Sequence, residues 1–213
     1  MNERKRAEAV IPIQKRFFKP GKESRMLSIL DGIHARARIS QQELGNKAAL
    51  SGAMVNKYVK TLHQGGLITL TPVNGKSFSY GLTQEGESQR RAMLGQFCAE
   101  IVQVYSALKE SIREKLTGLL DQGLTQVALF GAAETCEVVL AALEDTPFRV
   151  VAIIDNDPSK HGQAFHGHRV VSPSLLPTIP CQAVIISSFG RQDEIYGQLT
   201  APAAARNLQI VRL

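Results

Sequence analysis

The chain has no tryptophan and only 6% aromatic residues, and its three cysteines, Cys98, Cys136 and Cys181, are far apart and odd in number. That count and spacing exclude a disulfide framework and the paired ligand spacing of a structural zinc site. Free thiols inside the fold are the plain reading. His161, His166 and His168 cluster in sequence but lack a further ligand type at a fixed spacing, so no metal is expected. No run of about 18 apolar residues occurs, which excludes an apolar transmembrane helix. The charged start, Arg4-Lys5-Arg6, is followed by no apolar stretch of signal-peptide type, so a cytoplasmic location is expected. A phosphate-binding loop, a nucleophile elbow and a spaced acid–base pair are also missing, and catalysis is not expected.

What is present is an ordinary globular composition, 44% apolar and 21% charged over 213 residues, enough for one large domain or two small ones. The net charge of +6 is unevenly spread. Residues 1–94 hold 16 Lys+Arg against 7 Asp+Glu, whereas residues 95–213 hold 9 against 12. A basic segment joined to a mildly acidic one points to a polyanion partner for the first segment only.

Residues 1–22 carry Arg4, Lys5, Arg6, Lys15, Arg16, Lys19 and Lys22 among prolines, and read as a basic arm or a free terminus. From Glu23 the period becomes helical, with Met26, Leu27, Leu30 and Ile33 on one stripe. Ser40 followed by Glu43 is a capping box opening a second helix with Leu44 and Ala48 inward. Ser51 caps a third, whose buried stripe is Val55, Tyr58 or Val59, and Leu62, and Gly65-Gly66 ends it. Two alternating runs, residues 67–70 and 77–82, then flank Asn74-Gly75, a hairpin signal. Three helices and a hairpin in about sixty residues is the order of a winged helix.

The residues from Ser51 to Leu62, the following Gly65-Gly66-Leu67-Ile68, and Tyr80-Gly81-Leu82-Thr83-Gln84-Glu85-Gly86 resemble the recognition helix, strand and wing end of MarR-type bacterial winged-helix regulators. The resemblance spans residues 23–94 and implies binding of double-stranded DNA. A helix in the major groove presents the side opposite its buried stripe. On that basis Ser51, Gly52, Ala53, Asn56, Lys57 and Lys60 are the expected DNA-facing set. Arg38 before the second helix and Lys76 at the wing tip are expected phosphate contacts.

Residues 95–124 repeat apolar side chains at threes and fours (Phe97, Ile101, Val104, Tyr105, Leu108, Ile112, Leu116, Leu119, Leu120), which predicts a linker or dimerisation helix and a homodimer. Buried runs at 125–131, 150–154 and 183–188, with helices between them, predict a parallel sheet over residues 125–213. Strand, Gly131 turn, helix, strand and then Asp155 is the order of a dinucleotide site, with Ala133 and Cys136 standing where its second and third glycines would be.

The stretch from Ile153 to Gly162, with Phe165-His166-Gly167-His168-Arg169-Val170, resembles the Rossmann domains of Rex redox-sensing repressors and the CoA-binding group. It is also similar to the Rossmann-like domains of sugar-modifying and polysaccharide-biosynthesis proteins. Those resemblances imply a small nucleotide ligand, NAD(H) or a nucleotide-sugar, held near Gly131, Ala133, Asp155, Asp157 and Ser187. The expected fold class is therefore α/β with two domains: an N-terminal winged helix, a long linker helix, and a small parallel-sheet Rossmann-like domain. Three functions stay open. The first is a transcription regulator whose second domain senses a nucleotide-containing metabolite, with a link to polysaccharide biosynthesis genes. The others are a regulator whose second domain is a ligand-free interaction or dimerisation module, and a nucleotide-sugar enzyme.

Overall fold

The computed structural model describes residues 19–36, 38–74 and 77–213, without the side chains of Asn74 and Ser77. The expected basic arm lies almost wholly outside the described residues, as does Lys76. Contacts divide the chain into two compact units, residues 1–102 and 103–213.

The first unit is a winged helix. It contains α1 (Lys22–Ala35), α2 (Gln41–Ala48), α3 (Gly52–Gln64), the strands β1 (Ile68–Asn74) and β2 (Ser77–Leu82), and the start of α4 (Gln84–Asp121). Local chemistry explains several of these boundaries. Ser40 Oγ accepts from the Glu43 N–H at 3.2 Å while Glu43 Oε2 accepts from the Ser40 N–H at 2.9 Å, closing the capping box. Ala49, at φ 51°, ends α2 in the left-handed region. Ser51 Oγ accepts from Met54 N–H and starts α3. The core gathers Ile29, Leu30 and Ile33 of α1, Leu44 and Ala48 of α2, Val55, Val59 and Leu62 of α3, and Ile68 and Tyr80 of the hairpin. Each aliphatic side chain fully buried there contributes about 1.5–3 kcal/mol.

The hairpin is tied to α4 through one turn. Thr83 N–H donates to Leu67 O at 3.1 Å, Thr83 Oγ1 donates to Gly66 O at 2.7 Å, and the same hydroxyl accepts from Gly86 N–H at 2.9 Å, capping α4. At Gly86 a Cβ would lie 1.9 Å from Leu67 O, so only glycine fits where α4 passes the start of the hairpin. A charged cluster fastens α4 to α1. Arg90 donates to both carboxylate oxygens of Glu87 and to Asp31 Oδ1 at 2.8–2.9 Å, and Glu87 also meets His34 and Arg91. The Arg90 guanidinium, backed by His34 and Arg91, holds the Glu87 carboxyl at about 2, below the ordinary carboxylate range.

The second unit is a mostly parallel sheet in the order β5-β6-β4-β3-β7-β8. Its strands are β3 (Gln126–Phe130), β4 (Arg149–Ile154), β5 (Ala164–Phe165), β6 (His168–Val171), β7 (Ala183–Ile186) and β8 (Gln209–Arg212). Only β5, paired to β6 through the His166-Gly167 turn, runs antiparallel. The parallel strands step outward from β3 on one side and then jump to β7 on the other, which is a doubly wound order with its switch point between β3 and β7. One face packs on α5 (Glu134–Leu143) and on Ile112, Leu116 and Leu119 of α4. The other packs on α6 (Gln192–Ala204) and the 3-10 turn Pro173–Thr178. Because both faces are covered, β3 and β7 read as unbroken apolar runs. Helix α4 is continuous through residues 94 and 95, where the sequence reading divides the winged helix from the linker.

Candidate nucleic-acid interface and the sheet edge of the second unit

Helix α3 buries Val55, Val59 and Leu62 at 0–5% exposure. Ser51, Gly52, Ala53, Asn56, Lys57 and Lys60 are all exposed, as is Arg38 in the turn before α2. The helix carries no Asp or Glu, so its outer side is uniformly neutral or basic. Turning about 100° per residue from the buried stripe places Ala53, Lys57, Lys60, Thr61 and Gln64 nearest the opposite side, with Asn56 and Met54 on the flanks. Met54, Thr61 and Gln64 are exposed members of this face that the sequence reading passed over. The helical angle from Val55 would have found them. Gly52 and Ala53, at the capped N-terminus, keep bulk away from an approaching backbone. On the wing, Val73 and Phe78 expose apolar surface.

In the second unit the C-terminal ends of β3, β4 and β7 bring Gly131, Ala132, Asp155 and Ser187 together. Gly131 sits at φ 115°, and a Cβ there would lie 3.0 Å from Ser188 Cβ, so this position needs glycine. Asp155 is only 8% exposed. Its Oδ2 accepts from Ala132 N–H at 2.7 Å and from Lys160 Nζ at 3.0 Å, and its Oδ1 accepts from Asp157 N–H at 2.8 Å. Burial pushes its carboxyl upward, but the Asp157 and Ala132 N–H groups and Lys160 outweigh that and leave it below the ordinary value. Lys160 Nζ also donates to Ala132 O at 2.8 Å.

The sequence reading offered Asp155 to ribose hydroxyls. In the fold both of its oxygens are engaged by its own chain, so it ties the glycine turn to the loop after β4. Ser187 differs from its expected role in the same way: at 0% exposure its hydroxyl reaches the Phe130 and Gly131 carbonyls at 2.9 and 2.8 Å. Ala133 and Asp157 are exposed at this edge, and Asp157 accepts from Ser159 N–H and Oγ. With Asp155 committed and Ala133 in place of a glycine, these residues do not fit the ribose-and-pyrophosphate cradle of a dinucleotide. Cys136, beneath the turn, has its thiol pushed up to about 11 by burial and stays protonated at neutral pH.

A separate cleft of about 610 Å³ in this unit is lined by Tyr105, Glu137, Leu140, Phe148, Val150, His166 and His168, among others. His166 Nε2 lies 3.2 Å from Glu137 Oε1. Among the described residues no three His, Cys, Asp or Glu side chains converge as a metal site, and no helix is long and apolar enough to cross a membrane.

Residues 24–69 match a family described as winged helix-turn-helix DNA-binding. The first unit has the fold of a winged helix-turn-helix. Residues 123–207 match a family described as C2185-like, N-terminal. A comparison with curated proteins finds no match.

Among solved structures, UDP-D-quinovosamine 4-dehydrogenase from Vibrio fischeri is 18% identical, over 42% of this chain and 78% of that one, at a TM-score of 0.36. The PcaV transcriptional regulator from Streptomyces coelicolor is 27% identical over 39% of this chain and 60% of that one, at 0.35. Sso10a-2, a DNA-binding protein from Sulfolobus solfataricus, is 21% identical over 47% and 97%, at 0.36. Each likeness covers less than half of this chain.

Proposed function

We propose that the protein is a transcription regulator that docks α3 in the major groove of double-stranded DNA. The observation that carries this is the α3 face: Lys57 and Lys60, with Asn56 beside them, stand exposed on an acid-free helix whose other side is locked into the core. In this reading Lys57 and Lys60 contact guanine edges or phosphates, Asn56 reads an adenine edge, and Arg38 and Lys76 hold phosphates. Ser51, Gly52 and Ala53 let the backbone come close. The test is a fluorescence-anisotropy titration of duplex DNA across a salt series. Lys57→Ala with Lys60→Ala should weaken binding and reduce the salt slope by about 2. An unchanged affinity and slope would remove α3 as the contact face.

The second unit is read as the sensing part, because doubly wound sheets take ligands at the carboxyl edge beside the switch point. Its ligand is then a small nucleotide-containing metabolite that meets Gly131, Ala133 and Asp157 rather than the engaged Asp155, with polysaccharide biosynthesis genes as a target class. The engaged Asp155 favours a second reading, in which this unit is a ligand-free interaction module. A thermal-shift titration against NADH, NAD, CoA and nucleotide-sugars separates them. A saturating ligand at about 100 times its dissociation constant stabilises by about 2.7 kcal/mol, a shift of a few degrees. A shift with one compound supports sensing, and none with any supports the module.

A further inference from the structure

The parallel sheet of the second unit lacks a helix where its own winding calls for one. Strand β3 reaches β4 through α5, and the step from β4 to β6 continues in the same direction across the sheet. Right-handed crossovers put both connections on the α5 face, and a parallel step usually carries a helix there. Between β4 and β6 the chain supplies only the 3-10 turn Pro158–Lys160 and the short strand β5. The sheet beside α5 is left open over β4 and β6, and the cleft of about 610 Å³ lies there. That volume is within the range of about 300–1,000 Å³ that small-molecule sites occupy.

The cleft combines an apolar floor with an acidic rim. Leu140 of α5, with Phe148 and Val150 from the start of β4, gives it half-buried apolar surface. Glu137 and Glu144 of α5 are exposed carboxylates beside it, and no lysine or arginine is among the described residues that line it. A phosphate would meet two negative charges and no permanent positive one, which selects against a nucleotide. A protonated amine gains where a phosphate loses. Glu137 and Glu144 are about two helical turns apart, so one ammonium meets one of them and feels the other at longer range.

The partners of these groups single out Glu144. Glu137 is held by His166, whose Nε2 lies 3.2 Å away, and the Phe165 ring meets His166 edge-on. The Glu144 carbonyl accepts from Arg113, but its carboxylate has no hydrogen-bond or ion-pair partner among the described residues. On the α4 side, Lys109 Nζ stands 5.4 Å from the centre of the Tyr105 ring, so that ring face already receives a cation.

We propose that this cleft binds a small amphipathic cation, an aromatic or aliphatic body with a protonated amine, its body on Leu140, Phe148 and Val150 and its ammonium on Glu144. The lining includes neither α3 nor any of Gly131, Ala133, Asp155, Asp157 and Ser187, so failure here leaves the DNA and nucleotide readings as they stand.

Calorimetric titration of the full chain with naphthylethylamine, naphthylethanol and naphthylacetate tests it, since the three share one ring system and differ in charge. The amine should bind about tenfold tighter than the alcohol, and the carboxylate more weakly than either. Glu144→Gln should lower the amine's affinity about fivefold and leave the alcohol's unchanged. Glu194→Gln, an exposed carboxylate on α6 across the sheet, should leave both unchanged. Proton NMR places the site without any substitution: the ring signals of His166 and His168 should move as amine is added, and those of His34 and His63 in the first unit should not. Equal affinity for amine and alcohol overturns the proposal, as does the absence of binding by all three. So does an amine affinity that falls as far in Glu194→Gln as in Glu144→Gln, or His166 and His168 signals that stay still at saturation.

Discussion

The two units differ in what their candidate site residues do, although each also buries polar groups, Arg90 in the first and Asp155 in the second. In the winged helix the capping serines, the lysines of α3 and Asn56 are exposed, and the core beneath them is almost wholly apolar. In the parallel-sheet unit the residues of greatest chemical interest, Asp155 and Ser187, turn inward and hold the chain to itself. A helical face can be offered to a partner because the backbone of α3 satisfies its own hydrogen bonds. The carboxyl edge of a parallel sheet leaves loop N–H and C=O groups that need partners first. A reactive-looking residue at such an edge is therefore as apt to be scaffolding as site.

The contrast can be broken most severely at Gly86. Gly86→Ala drives a methyl into Leu67 O, and should destabilise the first unit by about 3 kcal/mol while the second unit's unfolding transition stays put. Denaturant unfolding followed separately for each unit checks this. Gly52→Ala, with open space around its Cβ, is the control.

Asp155→Ala comes next. It strips a buried carboxylate from Ala132 N–H, Asp157 N–H and Lys160, and should lower the second unit's stability by about 2–3 kcal/mol. An unchanged unit would mean that the carboxylate is free for a ligand after all. Its depressed carboxyl gives a sign for pH. The contribution is present above the ordinary aspartate value of about 3.9 and disappears as pH falls through the lower folded value.

Ser187→Ala should cost less, about 1 kcal/mol, because Phe130 O keeps a bond from Ser187 N–H at 3.0 Å. A larger loss would place the hydroxyl at the centre of the turn's stability. The smallest effect concerns Glu87, which is hydrogen-bonded by Arg90 and held at about 2. Its stabilisation of the first unit is complete above about pH 4.3 and fades as pH falls towards about 2. An acid titration of that unit's melting temperature should flatten over this window in Glu87→Gln.

Much of the fold was legible in local sequence. The Ser40–Glu43 box, the Ser51 cap, the pairing of β1 with β2 and the apolar runs of β3, β4 and β7 each depend on neighbours a few residues away, and each lies where its chemistry places it. The α3 face was legible for the same reason, since a helix fixes its own outward side, although Met54, Thr61 and Gln64 needed the helical angle to be followed further. The short β5 strand was not foreseen, because its pairing rests on a turn at His166-Gly167 rather than on periodicity.

The sequence alone determined the two-part organisation, the alternation of strands with helices and the charge of the first unit. Periodicity, caps and composition act locally and survive without knowledge of what packs on what. Only the tertiary structure decided where Asp155 and Ser187 point, why Gly86 admits no side chain, and that α4 is covered at its ends and bare in its middle. Those outcomes depend on groups brought together from distant positions, Ala132 with Asp155, Gly131 with Ser187 and Leu67 with Gly86, and burial is a property of the assembled neighbours.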